Sequence, residues 1–162
     1  GDVKSLSIGI ESTGTLDKRL TLFKIETRYA LHAVVILAQN DGRVRNPFLS
    51  EKMDLSLPMV AKIMNKLGQG GLVDSKPGPG GGYKLSRQAS GINLFDVISL
   101  NEGNDWGGEC ILGKPECSDS VNCEMHCSWG ELRKHILKML HEHTVQEMAD
   151  GVVDLSLKVQ GK

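Results

Sequence analysis

Apolar and polar positions along this chain alternate first with a helical period, then with a period of two, then helically again. Over residues 22–39 the apolar positions Phe23, Ile25, Tyr29, Ala30, Ala33, Val34, Ile36 and Leu37 predict a helix with a broad buried face, which Asn40-Asp41-Gly42 ends. A short helix is expected after Pro47, over FLSEKMDL. A second opens at Ser56-Leu57-Pro58, where Ser56 can cap and Pro58 fits a first turn that needs no N–H. Its pattern turns Val60, Ile63, Met64 and Leu67 inward and Met59, Lys62, Asn65 and Lys66 outward, until Gly68 or Gly70-Gly71 stops it. Residues 72–75 and 83–85 then read as strands around a Gly-rich tip, KPGPGGGY. Two short helices alone would suit an ordinary helical hairpin with a solvated lysine face. With a β-hairpin directly after them they predict a winged helix-turn-helix.

Beyond the hairpin, residues 94–100 form a short apolar helix leading into a polar, cysteine-bearing stretch. Ser128-x-x-Glu131 reads as a capping box that starts a longer helix with the stripe Trp129, Leu132, Ile136, Leu137 and Leu140. Thr144-x-x-Glu147 reads as a second capping box, opening a short helix to about Ala149. A long helix outside a compact winged-helix core has nothing of its own chain to bury that stripe against, which predicts a two-fold homodimer. The alternative is packing back onto the first helix. The fold class expected is mainly α with a small β-hairpin. Its parts are a flexible extension (1–18), the winged helix-turn-helix (19–100), a cysteine-rich loop (101–128), dimerisation helices (129–150) and a tail (151–162).

Composition narrows the classes. Aromatic residues are only 4% of the 162, so the core must be built from aliphatic side chains and methionine. No apolar run is long enough to cross a bilayer, and the first residues have neither a basic n-region nor a long h-region, so a cytoplasmic protein without membrane contact is expected. Residues 17–90 hold 12 Lys/Arg against 6 Asp/Glu, and residues 91–162 hold 6 against 12, although the whole chain carries a net charge of only −1. A basic first half points to a polyanion partner, here double-stranded operator DNA. Lys62, Asn65 and Lys66 on the second helix, Ser56 and Met59 at its start, and Lys76 and Lys84 flanking the hairpin are the candidate contacts. Gly80 and Gly81 are added as backbone able to press close to the duplex. The Gly-rich tip lacks the strand-loop-helix setting and G-K-[ST] ending of a nucleotide loop. No nucleophile–base set or carboxylate pair stands out, which argues against an enzyme.

The densest chemistry lies in C-ILGKPE-C-SDSVN-C-EM-H-CS-W, where Cys110, Cys117, Cys123, His126 and Cys127 fall within 18 residues. In a chain without a secreted disulfide scaffold, such thiols are metal ligands before they are disulfides. Three such cysteines with one histidine, or an open position, suit an iron–sulfur cluster, [2Fe–2S] or [4Fe–4S], in which one imidazole replaces a thiolate. The same set also suits tetrahedral zinc. Zinc knuckles bring their ligands in C-x₂₋₄-C pairs, and only Cys123-x₃-Cys127 comes near that.

Four features in order make the chain resemble the Rrf-type bacterial regulators, a family that includes iron–sulfur and nitric-oxide-responsive members. They are Arg28-Tyr29-Ala30, Gly71-Leu72-Val73, the run Gly-Pro-Gly-Gly-Gly-Tyr ending at Tyr83, and the C…C…C-x-x-H-x-x-W run. The resemblance covers residues 23–151. It implies a winged-helix homodimer holding a cluster near the dimer interface, which senses iron, redox state or nitric oxide and modulates operator affinity. It assigns Cys110, Cys117, Cys123 and His126 as ligands, and Trp129 as the residue opening the dimer helix. Arg28 joins the expected DNA-facing set, and stands where some members place a ligating carboxylate. The chain departs from the commonest pattern in a first Cys spacing one residue longer, an additional Cys127, Ala61 at a recognition-helix position filled elsewhere by Glu, and Pro77 at a wing position filled by a basic residue. His32 stands where another branch has a ligating histidine, so His126, Cys127 and His32 are all candidates for the fourth ligand. An interaction protein with vestigial DNA binding is the reading from another class.

Overall fold

The computed structural model describes residues 22–111 and 125–151, and within them α1 (Ile25–Ala38) is the element around which the others pack. Its Ala33-Val34-Val35-Ile36-Leu37 run is buried on every side, because helices and the hairpin cover most of its circumference. The residue before α1, Lys24, offers no side-chain cap. Glu102 supplies one from across the fold, accepting from the Lys24 N–H at 2.7 Å and from the Thr27 hydroxyl at 2.6 Å. A carboxylate at a helix N-terminus also meets the positive end of the helix dipole.

The helix-turn-helix is α2 (Asn46–Met53) and α3 (Leu57–Gln69). Asp54 ends α2 in the left-handed region at φ 53°. Ser56 caps α3 as expected, its side chain accepting the Met59 N–H at 3.3 Å. Val60, Ile63, Met64 and Leu67 are buried as their spacing predicts. Met59 departs from the expectation: it is half-buried and packs on the core rather than facing outward.

The wing is an antiparallel hairpin of β1 (Val73–Lys76) and β2 (Gly82–Leu85), with Val73 opposite Leu85 and Lys76 opposite Gly82. A third backbone segment, unforeseen in the sequence, lies against it: Val44 and Tyr83 exchange N–H···O bonds of 2.8 and 2.7 Å. Arg43 straps this edge, donating to Asp74 Oδ2 at 2.6 Å and to the Gly82 carbonyl at 3.1 Å, and its bond holds the Asp74 carboxyl below its ordinary pKa. A Cβ at Gly81 would collide with the Lys76 and Gly78 carbonyl oxygens, and one at Gly82 would meet Val44 backbone. These glycines are therefore demanded by the wing's own closure.

After a 3₁₀ turn (Ala89–Gly91), α4 (Leu94–Glu102) opens with a reciprocal Asn93–Asp96 capping box. Helix α5 runs His126–Glu142 and α6 runs Val145–Gly151. The Ser128-x-x-Glu131 box does not start α5, which begins three residues earlier behind Met125 with no side-chain cap, its Trp129 N–H bonded to the Met125 carbonyl at 2.8 Å. The Thr144–Glu147 box does form, with both reciprocal bonds at 3.1 Å. Its helix α6 packs on α1, and Val145 is fully buried in the main core. Helix α5 also has neighbours in its own chain: it lies on α4, with Leu140 buried and His141 stacked on Phe95 at 4.4 Å. Where the two segments meet, Asn93 and Thr144 form an isolated bridge closed by Leu94 N–H to His143 O and Val145 N–H to Ile92 O. No helix among the described residues is long and apolar enough to cross a membrane.

Candidate functional site

The outer face of α3 carries the expected polar groups. Lys62, Asn65 and Lys66 are all exposed on a helix fixed by its buried opposite side, and Ser56 is exposed although its hydroxyl is occupied by the cap. Met59 lines a groove of about 200 Å³ between α1, α3 and α4, together with Lys24, Lys62 and Lys66. On the wing, Lys76, Gly80 and Lys84 are exposed, whereas Gly81 is buried under the turn. Arg28 is half-buried on α1, one turn from His32. Burial first, and then the Arg28 charge, hold the His32 pKa below the ordinary imidazole value, and its Nδ1 has no hydrogen-bond partner among the described residues.

Sequence reasoning missed two basic residues here. Arg45, exposed at the start of α2, donates to the Gly78 carbonyl at the wing tip at 2.9 Å, and Arg43 holds the wing edge. Arg45, Asn46, Ser75, Lys76 and Tyr83 line a cleft of about 560 Å³ between α2 and the wing. The available signal was the Arg43-Val44-Arg45 alternation after Gly42, a three-residue strand pattern too short to stand out.

The second region surrounds Cys110. Residues 103–110 leave α4 and fold against α5: Trp129 Nε1 donates to the Glu109 carbonyl at 2.9 Å, and Arg133 Nη1 donates to the Gly107 carbonyl at 2.7 Å. Trp106 packs on Phe23 with ring centroids 5.1 Å apart. The half-buried Cys110 thereby sits on a cleft of about 600 Å³ lined also by Lys24, Trp106, Trp129 and Arg133. Cys127 is exposed in the first turn of α5, beside His126, whose backbone is helical. Cys117 and Cys123 lie outside the described residues, as does the side chain of His126. Among the described residues no three His, Cys, Asp or Glu side chains converge on a metal-sized position.

A sequence model of the Rrf2 family, described as an iron-dependent transcriptional regulator, matches residues 23–151. Relatives include the HTH-type transcriptional regulator IscR of Escherichia coli O1:K1 / APEC, 33% identical over 133 residues that cover 80% of this chain and 82% of that protein. The regulator of the same name from Klebsiella pneumoniae (strain 342) is 32% identical over 133 residues, covering 80% and 81%. Among solved structures, T. potens IscR superposes with a TM-score of 0.63 at 25% identity, over 80% of this chain and 87% of that one. CymR, the global cysteine regulator of B. subtilis, shares the fold with a TM-score of 0.69 at 22% identity, over 80% and 97%.

Proposed function

This chain belongs to the Rrf2 family of transcriptional regulators, and from that membership we propose that it is a homodimeric operator-binding protein whose affinity is set by an iron–sulfur cluster. The ligands in this reading are Cys110, Cys117 and Cys123, with His126 as the fourth. The observation that carries it is local. Trp129 and Arg133 bond the backbone beside Cys110 to α5, the helix whose first turn holds His126 and Cys127. One end of the cysteine loop is thus fixed beside the other, so residues 112–124 need only close a short span to complete a ligand set. A bound cluster supplies a redox- and iron-responsive centre at that point.

The chain's own residues carry the response to the DNA face. The loop follows Glu102, which caps α1 through Lys24 and Thr27, and α1 packs directly against α3. Ordering residues 103–110 around a cluster would therefore bias the seat of α3, and a coupling of about 1–3 kcal/mol changes operator occupancy roughly 5- to 150-fold. At the duplex, Lys62, Lys66, Lys76 and Lys84 neutralise phosphates while Asn65 reaches base edges. Arg28, Ser56 and Met59 take lesser parts there, because each is half-buried or already engaged in the fold. Gly80 and Gly81 shape the tip that rides on the backbone.

The test is visible absorption together with iron, acid-labile sulfide and zinc analysis on protein purified without oxygen. The expected result is a coloured protein with iron and sulfide, which Cys110→Ala, Cys117→Ala and Cys123→Ala each bleach, with loss of the cluster's effect on DNA affinity. Colourless protein with one zinc per chain would overturn the cluster. Absence of salt-dependent duplex binding, or no effect of neutralising Lys62 and Lys66, would overturn the DNA-binding role.

A further inference from the structure

The groove-facing end of α3 carries apolar side chains where hydrogen-bonding ones are expected of a base-reading helix. Leu57, its first residue, is 50% exposed, whereas Val60, Ile63, Met64 and Leu67 are buried and Met59 leans on the core. Leu57 continues at four-residue steps into Ala61 and Asn65, both exposed, so the three form one ridge along the outer face. The neighbouring ridge is Pro58, Lys62 and Lys66, also exposed. The Ser56 hydroxyl at this end lies off the ridge and accepts the Met59 N–H, which leaves its own O–H free. Leu57 and Ala61 themselves have no side-chain donor or acceptor to offer a base edge, and Lys62 and Lys66 run alongside on the neighbouring ridge.

A partner meeting this end must be anionic beside the lysines and must present apolar groups to Leu57. In the major groove, the base-edge group of that kind is the 5-methyl of thymine. Building on the DNA-binding role above, we propose that Leu57 and Ala61 read thymine methyl groups in the operator, with Asn65 taking the edge of an adenine further along the ridge. Leu57 is then a specificity-determining residue: it selects A·T pairs through their methyl groups, while the lysines beside it supply affinity that is indifferent to sequence.

The experiment starts from the consensus duplex that the full-length protein selects from a random-sequence pool. Each thymine of that duplex is replaced in turn by 2′-deoxyuridine, which removes the methyl and keeps the base pair, and affinity is read by fluorescence anisotropy. At one or two positions in each half-site the loss should be roughly fourfold, the worth of one methyl group taken out of water. Leu57→Ala should be indifferent to uridine at one of those positions, with the wild-type slope of affinity against salt and an unchanged melting curve, since an exposed side chain contributes little to the fold. Indifference of the wild-type protein to every uridine, or equal losses in Leu57→Ala, overturns the inference and leaves the DNA-binding role standing. Selection of no consensus, or capture of a protein rather than DNA by this face, overturns both.

Discussion

Helices α3 and α5 each carry an apolar stripe and a charged face, yet they are completed to different degrees by their own chain. On α3 the stripe is hidden: Val60, Ile63, Met64 and Leu67 lie under α1, α2 and the wing. On α5, among the described residues, Leu140 alone is fully covered, Trp129, Ile136 and Leu137 are half-buried, and Leu132 and Met139 remain 51% and 45% exposed. Among the described residues, the contrast separates a helix whose apolar stripe its own chain covers from one whose stripe is covered only in part. The helix proposed to meet DNA is held from behind by its own chain, whereas among the described residues the helix beside the cysteines leaves apolar side chains uncovered, the surface that the proposed homodimer would use.

Substitutions can break or sharpen this contrast. The largest effect is expected for Leu67→Ala, which empties a site 1% exposed and should cost about 2–5 kcal/mol in chemical denaturation. Next comes Ser56→Ala, which removes the α3 cap and should cost about 1 kcal/mol, with weakened duplex binding because the same end faces the groove. A smaller effect lies at α6. The hydrogen bond from His143, and then the Thr144 N–H, hold the Glu147 carboxyl below its ordinary pKa of 4.5. A depressed carboxyl contributes stability that is present above the unfolded value and lost as pH falls through the folded one, so thermal stability should decline below pH 4.5 and less steeply in Glu147→Gln. Smallest for the chain itself is Leu132→Glu: the melting curve of dilute protein should hardly move, while sedimentation should show a dimer falling apart. A Leu132→Glu chain that unfolds would mean α5 is completed internally and the contrast is wrong.

Much of the DNA-binding half was legible because its signals are local. Ser56 before Pro58, the 3.6-residue spacing to Leu67, and a Gly-rich run between two short strands each act within a few residues. What escaped depends on contacts distant in sequence. Val44 pairs with Tyr83 and Glu102 caps α1 across 75 positions, and neither partner announces itself locally. Met59 sits where the helical wheel allows either face, and the groove between α1 and α4 draws it inward. The start of α5 was misplaced because S-x-x-E marks a first turn only when the chain before it is not already helical, and here His126 and Cys127 are. The proposed ligand set rests on the chemistry of its residue types: of its four members, the structure describes the side chain of Cys110.

The Asn93–Thr144 bridge has a consequence for how such a chain can change over time. It joins the two ends of everything from α4 to α5 at one clip, while α4 itself packs along α1 inside that excursion. Lengthening the loop inside it by a residue alters closure entropy only slightly, and the positions of Ile92 and Val145 outside it stay fixed by their own backbone bond. The cysteine spacing can thus drift while Ile92 and Val145 keep their seats, and what such a change transmits to α1 passes through α4, the Glu102 cap and the Phe23–Trp106 contact.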